Sequence, residues 1–174
     1  MALAATFAQP DGLAMRRAMG RFLTGVAVVT TAHDGEASGM TINSLTSISL
    51  DPPILMISLN HNTRTGDALL ASGKFAISIL GVKQEAVARQ FAVRGGARFE
   101  AGSFDTTPGG LPVIADALSQ VECEVAHQYV IGDHQVFFGR VLACRDRDGD
   151  GLAFNAGKFG AFADFHHEQG PWLF

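Results

Sequence analysis

The spacing of hydrophobic and polar residues near the start of the chain predicts one helix followed by a β-hairpin. After a possible N-cap at Asp11, apolar residues recur at helical spacing over residues 15–23, with arginines on the other face. Gly25 should end this helix. Two β-branched runs, at residues 26–31 and 38–43, then flank the turn sequence HDGE. The chain therefore predicts a helix that leads into an antiparallel pair of strands.

The remainder of the chain continues with short strands and few helices. Further strands are predicted at residues 46–50, 54–59, 74–80, 119–128 and 134–145, and a last strand with a bend at 151–162. One short helix should begin at Thr63 or Thr65 and end before Gly73, and another should cover residues 82–92. The Gly-rich residues 93–112 predict a long loop of the kind that is usually functional. This order predicts a mainly β fold, a closed or nearly closed β-barrel with peripheral helices.

Composition narrows the class of protein. The chain has 174 residues, of which 47% are hydrophobic and 17% charged, so we expect one folded domain over residues 1–174, with residues 1–12 as a flexible segment. Its apolar runs are too short for a transmembrane helix. The N-terminal arginines follow the small residues, the reverse of a secretory signal, which favours a cytoplasmic protein. A net charge of −4 gives no general attraction to nucleic acid.

Several motifs that would carry other chemistry are incomplete. The sequence DRDGDG resembles half of a calcium loop, but Gly157 stands where the loop needs a glutamate, so a hairpin turn is the better interpretation. The two histidines at 166–167 lack zinc-site spacing. Cys123 and Cys144 lie in predicted strands and should be two buried free thiols. The chain also lacks a serine-nucleophile motif, and the glycine motifs of doubly wound nucleotide folds are missing.

Two polar stretches remain as candidates for a binding site. Residues 39–53 carry hydroxyl and amide groups, such as those of Thr41 and Asn43, among apolar residues. Residues 58–65 include Arg64, whose guanidinium suits a phosphate, beside a predicted helix N-terminus that also favours anions. The alternatives are polar positions on a half-exposed strand for the first stretch, and a helix cap with an exposed arginine for the second.

Six blocks in a fixed order resemble a known family. They are FLTGVAVVTT, GMTINSLTSISLDPP, SLNHNTRT, SGKFAISIL, the Arg98-Phe99 pair and GDHQVFFGRV, which lie within residues 22–141, and the resemblance itself covers residues 15–162. The series resembles the short-chain flavin reductases, the NAD(P)H:flavin oxidoreductases that serve two-component flavin monooxygenases. The resemblance implies an FMN-binding split barrel, usually a homodimer, that binds FMN or FAD near the dimer interface.

The resemblance also implies a role for each matching residue. The residues beside the flavin ring are Gly39, Met40, Thr41, Ile42, Asn43 and Ser44. Those near the ribityl-phosphate are Asn60, Asn62, Thr63, Arg64 and Thr65, with Arg98 as a second phosphate contact. His134, in the GDH block, should face the nicotinamide, and its alternative role is structural, at a strand start. Phe159 should close over the nicotinamide, with Phe162 and Phe165 as competitors. His61 departs from the family, because a lysine or arginine is common at that position.

The function implied is hydride transfer from NADH, with NADPH as an alternative donor, to FMN or FAD. The reduced flavin would pass to a separate partner monooxygenase. Because the flavin and nicotinamide carry the chemistry, we expect His134 to orient a reactant rather than to be indispensable. Two alternatives stay open: a non-catalytic flavin- or haem-binding split-barrel protein, and a split-barrel flavin oxidase that acts on a small molecule.

Overall fold

A computed structural model describes residues 7, 9, 11–93, 99–100 and 102–163 of the chain. Its helices are α1 (Gly12–Met19), α2 (Arg64–Ser72) and α3 (Glu85–Ala92), the last preceded by a 3-10 turn at Val82–Gln84. Its first six strands are β1 (Thr24–Gly25), β2 (Ala27–His33), β3 (Glu36–Ile42), β4 (Thr46–Leu50), β5 (Pro53–Asn60) and β6 (Lys74–Ile79). The other six are β7 (Phe104–Thr106), β8 (Pro112–Ile114), β9 (Ser119–Ile131), β10 (His134–Asp146), β11 (Leu152–Asn155) and β12 (Lys158–Ala161).

The strands form one large antiparallel sheet and two small ones, which confirms the mainly β fold with peripheral helices. The large sheet has seven strands in the order β3-β2-β6-β9-β10-β5-β4, and the small sheets are β1-β11-β12 and β7-β8. Among the described residues no ladder joins β3 to β4, so the barrel is not closed by backbone hydrogen bonds. The Ser44 hydroxyl instead links the segment after β3 to β5, since it donates to the Ser58 carbonyl at 2.7 Å.

The local signals for turns and caps are confirmed. Asp34 and Gly35, with φ of 50° and 78°, form the two-residue turn between β2 and β3; positive φ at both positions matches the right-handed twist of the strands. Asp11 caps α1 through the Ala14 N–H, and Thr63 caps α2 by accepting from the Gly66 N–H at 3.1 Å. Gly73, with φ of 66°, ends α2 as expected.

The core lies on both faces of the large sheet. One cluster centres on Phe75, Phe137 and Ile57, all fully buried. A second cluster lies between the sheet and α3 and includes Phe91, and a small third one contains Ala76, Leu111 and Val113. Gly139 on β10 allows this packing, because a Cβ atom there would lie 2.4 Å from the Phe75 ring. A side chain at position 139 would displace that ring from the core.

Several predicted boundaries are wrong. Helix α1 ends at Met19 with Gly20 as its C-cap, not at Gly25. The long loop at 93–112 contains β7, which pairs with β8. The last segment is a hairpin of two strands, β11 and β12, rather than one strand and a bend. None of the three described helices is long and apolar enough to cross a membrane.

Burial also differs from the predicted pattern at three places. The apolar side chains of α1 and the segment after it are exposed, with Met15 at 58% and Phe22 at 69% of full exposure. Cys144 is exposed rather than buried, although both cysteines are free thiols as predicted. Glu122 lies on the face of β9 opposite Cys123 but is buried, and its carboxylate accepts from the Gly109 N–H at 2.9 Å.

Candidate functional site

A cavity of about 580 Å³ lies between β3, the segment that leads into α2, and the C-terminal end of α3. Its volume falls within the range of small-molecule sites. The residues of the two predicted stretches that line it are Gly39, Met40, Thr41, Asn60, Asn62, Thr63, Arg64 and Thr65. Further lining comes from Ala37, Ser38, Phe91, Ala92, Val93 and Phe99. The fold therefore brings the two polar stretches together around one space.

The β3 wall is shaped by a glycine and by hydroxyl groups that bond within the protein. At Gly39 a Cβ atom would lie 2.9 Å from the Val29 carbonyl oxygen and 3.0 Å from the Phe91 ring, so the wall tolerates no side chain there. The Thr41 hydroxyl donates to the Ala88 carbonyl at 2.6 Å, which ties β3 to α3. The Ser38 and Thr65 hydroxyls lie 3.0 Å apart and tie β3 to α2.

The α2 rim carries the groups that suit an anion. The Thr63 hydroxyl donates to the Asn60 carbonyl at 3.2 Å and accepts from the Gly66 N–H. The N–H groups of Arg64 and Thr65, in the first turn, have no carbonyl partner within the helix. Arg64 itself is exposed and pairs with Glu36 at 2.8 Å. Backbone donors and a guanidinium thus meet at one helix N-terminus, an arrangement that favours a phosphate.

Three predicted flavin-ring residues do not line the cavity in this chain. Ile42 is 6% exposed and packs in the core cluster around Phe75. The Asn43 amide donates to the Thr24 hydroxyl at 3.3 Å, and Ser44 bonds to β5. Their side chains serve the connection between β3 and β5, which explains part of the polar character that marked this stretch.

His134 lies beside the cavity rather than on its surface. It begins β10 directly opposite Asn60, which does line the cavity. Its Nδ1 lies 2.7 Å from the Asp133 carboxylate, and this hydrogen bond lowers the pKa of Asp133. The Asp133 carbonyl also accepts from the His61 N–H at 3.0 Å, which joins the β9–β10 turn to the segment before α2. His134 is therefore held at the edge of the site.

Phe159 does not line the cavity. It lies on β12, where its ring is 5.3 Å from that of Phe154 and the Arg89 guanidinium lies 5.0 Å over it. Of its competitors, Phe162 is 66% exposed, whereas Phe165 lies outside the described residues, as does the proposed phosphate contact Arg98. Phe159 contacts α3 through Arg89, and the end of that helix lines the cavity.

The contribution of α3 is the feature that the sequence did not reveal. Phe91 is 2% exposed, lines the cavity and packs against Phe99, with ring centroids 5.6 Å apart. The only signal was the spacing of Val87 and Phe91, which predicts an apolar helix face but not what that face covers. The apolar end of the cavity is thus built from the end of α3 and from Phe99.

The structure is that of a mainly β protein with a cavity of small-molecule size, which is polar at the N-terminus of α2 and apolar at the end of α3. The family model described as flavin reductase like domain matches residues 19–163, and the chain belongs to this family. The protein is 38% identical over 148 residues to the FMN reductase (NADH) SmoA of Agrobacterium fabrum, which covers 85% of this chain and 84% of that protein.

Two further comparisons agree. The reductase component of a 4-nitrophenol 4-monooxygenase from Rhodococcus opacus is 32% identical over 157 residues, which covers 90% of this chain and 84% of the relative. The solved structure of the Streptomyces globisporus NADH:FAD oxidoreductase SgcE6, in complex with NAD and FAD fragments, superposes with a TM-score of 0.88 at 36% identity. That match covers 94% of this chain and all of the other.

Proposed function

We propose that this protein is a flavin reductase that transfers a hydride from NADH to FMN or FAD and supplies reduced flavin to a separate monooxygenase. NADH is the expected donor, because relatives such as SmoA are NADH-dependent reductases. The observation that supports the proposal is the cavity of about 580 Å³, which residues of both predicted polar stretches line. Relatives that are reductase components of monooxygenases support the transfer to a partner.

The residues present fit a phosphorylated flavin. Gly39 lines the cavity without a side chain of its own, and Phe91, which lies beside it, and Phe99 provide apolar contact area for a flat ring. The first turn of α2 and Arg64 provide donors for a phosphate. A flavin held by these residues would supply the acceptor for the hydride of NADH, and with one proton from water the products would be NAD⁺ and the reduced flavin.

The work of the protein is to bind and orient the two reactants. We propose that Gly39, Met40 and Thr41 hold the flavin ring through backbone and short side chains, and that Ile42, Asn43 and Ser44 fix the strand end beside it. Asn60, Asn62, Thr63, Arg64 and Thr65 form the phosphate end, with Arg98 as a second cation. His134 would orient the nicotinamide from the edge of the site, and Phe159 would act on it indirectly, through α3. Holding two reactants in a productive geometry can lower the barrier by roughly 7–11 kcal/mol at the limit.

Anaerobic titration with NADH tests the function directly. When NADH is added to the purified protein with FMN, the flavin absorbance should bleach by about one flavin per NADH. The bleaching should be much faster than in a mixture of NADH and FMN without the protein. Steady-state rates with FMN, FAD and riboflavin against NADH and NADPH should then rank the substrates. A protein that binds flavin but stays inert to both donors would overturn the reductase assignment and favour a flavin-binding role without catalysis.

We also propose that the protein acts as a homodimer in the cytoplasm. The exposed apolar side chains of Met15, Met19 and Phe22 support a partner surface on and beside α1. The exposed free thiol of Cys144 suits a reducing compartment. Light scattering after size exclusion should give twice the chain mass, and Phe22→Glu should shift the mass toward that of one chain. A monomeric native protein would contradict the dimer.

A further inference from the structure

An ion pair spans the rim of the cavity between its two polar walls. Arg64 lines the cavity at the start of α2, and its Nη2 lies 2.8 Å from the Oε2 of Glu36. Glu36 begins β3, the strand that forms the opposite wall. Both side chains are about three-quarters exposed, at 75% and 76%. The pair therefore sits where a ligand phosphate at the α2 N-terminus would need the guanidinium.

We propose that Glu36 competes with the phosphate of the flavin for Arg64, and so lowers the affinity of the protein for phosphorylated flavins. The inference rests on the proposed function, because the phosphate contact of Arg64 is part of it. The carboxylate occupies donors of the same planar guanidinium that a phosphate would use. When the flavin leaves, the Glu36 carboxylate can replace the phosphate as the partner of Arg64, so that the guanidinium stays paired.

The position of this pair distinguishes it from the other ion pairs. Glu124 and Arg140 pair across β9 and β10, with a distance of 2.9 Å from Nε to Oε1, and neither lines the cavity. Glu85 and Arg89 pair along α3, also away from the lining. Within the described part of the chain, Glu36–Arg64 is the ion pair whose cation faces the cavity. A change in this pair can therefore alter ligand binding, whereas a change in the other two pairs should not.

Exposure sets the size of the effect. A pair in contact with water is held weakly, so Arg64 can exchange one anion for another at small cost. We expect the competition to change FMN affinity by about two- to fivefold, the range of exposed ion pairs. High salt should reduce the change, because exposed charges are screened. For a reductase that hands its product to another enzyme, easier release would be useful.

Calorimetric titration of FMN and riboflavin at low ionic strength tests the competition. Riboflavin lacks the phosphate and serves as the internal reference. Glu36→Gln should lower the Kd for FMN about two- to fivefold and leave that for riboflavin unchanged. In an Arg64→Met background the same substitution should have no effect, because the group competed for is gone. Glu124→Gln, which removes one carboxylate from a distant exposed pair, should change neither Kd.

Three results would overturn the competition while native FMN binding stands. They are an equal change of the FMN and riboflavin Kd values in Glu36→Gln, no change of either Kd in that variant, and an effect of the substitution that persists in the Arg64→Met background. Weaker FMN binding in Glu36→Gln would show instead that the carboxylate holds Arg64 in place for the phosphate, which also rejects the inference. Failure of the native protein to bind either flavin would overturn the proposed function itself.

Discussion

The β3 wall and the α2 rim border the same cavity but use their polar groups in opposite ways. On the wall, the hydroxyls of Ser38 and Thr41 bond to neighbouring elements, so they hold three elements together rather than face a ligand. On the rim, Arg64 is exposed and the first-turn N–H groups of α2 lack helical partners. The β3 wall therefore determines the shape of the site, whereas the α2 rim determines its charge.

This division has a direct consequence for mutations. A change on the wall should lower stability and weaken every flavin equally, because it alters packing. A change on the rim should leave stability almost unaltered and discriminate between flavins with and without a phosphate. The following substitutions test each side of the comparison.

The largest effect is expected for Gly39→Ala. The new Cβ would lie 2.9 Å from the backbone oxygen of Val29, which cannot turn aside, so β3 or α3 must shift. We expect a loss of about 1–3 kcal/mol in the free energy of unfolding, measured with urea, and weaker binding of FMN and riboflavin alike. Gly25→Ala is the matched control, since a Cβ there has nothing within 4 Å. Equal stabilities of the two variants would contradict the packing argument.

The next effect is expected for Thr41→Val, which keeps the shape of the side chain but removes the donor to the Ala88 carbonyl. The loss of one partly buried hydrogen bond should lower the free energy of unfolding by about 1 kcal/mol. Both flavins should bind more weakly by the same factor, because α3 loses its tie to β3. Thr41→Ser restores the hydroxyl and should recover most of the stability. If Val and Ser behave alike, the hydrogen bond does not hold α3.

On the rim, Arg64→Met should raise the Kd for FMN about fivefold and that for riboflavin much less. The effect is limited because Arg64 is exposed and already paired with Glu36. Unfolding by urea should show little change. Equal losses for the two flavins would remove Arg64 from the phosphate site and would blur the distinction between wall and rim.

The smallest effect is expected for His134→Ala, at the edge of both regions. We expect the KM for NADH to rise, or kcat to fall, about threefold, as for the loss of one net hydrogen bond. The Kd for FMN should stay the same. His127→Ala, an exposed histidine on the neighbouring strand β9, is the control. Unchanged kinetics for His134→Ala would leave that residue a structural role with Asp133.

The sequence predicts those parts of the fold that depend on adjacent residues. The turn at Asp34 and Gly35 and the caps at Thr63 and Gly73 are confirmed because the residue itself satisfies the local backbone. The β11–β12 hairpin was not predicted, because its turn lacks a residue that favours the local backbone conformation. Its turn places Ala156 at a φ of 48°, a conformation that alanine rarely adopts, so no usual turn residue marks the first position.

The site was predicted only as far as its two polar stretches. That they meet around one cavity depends on the pairing of distant strands, and its apolar end depends on where α3 packs. Nothing near Phe91 in the sequence indicates a cavity. The burial of Glu122 is a similar case, since its partner Gly109 comes from a distant loop. Contacts of this kind follow from tertiary packing rather than from local pattern.

The two cysteines of the chain differ in solvent accessibility, which allows the protein to be labelled at one position. Cys123 is fully buried, and burial together with the nearby Glu122 raises the pKa of its thiol to about 12, so it stays protonated and out of reach. Cys144 faces solvent on β10. Alkylating dyes react with the thiolate of accessible cysteines. The folded protein should therefore take up a single fluorophore, at a strand that does not line the cavity, without any engineering.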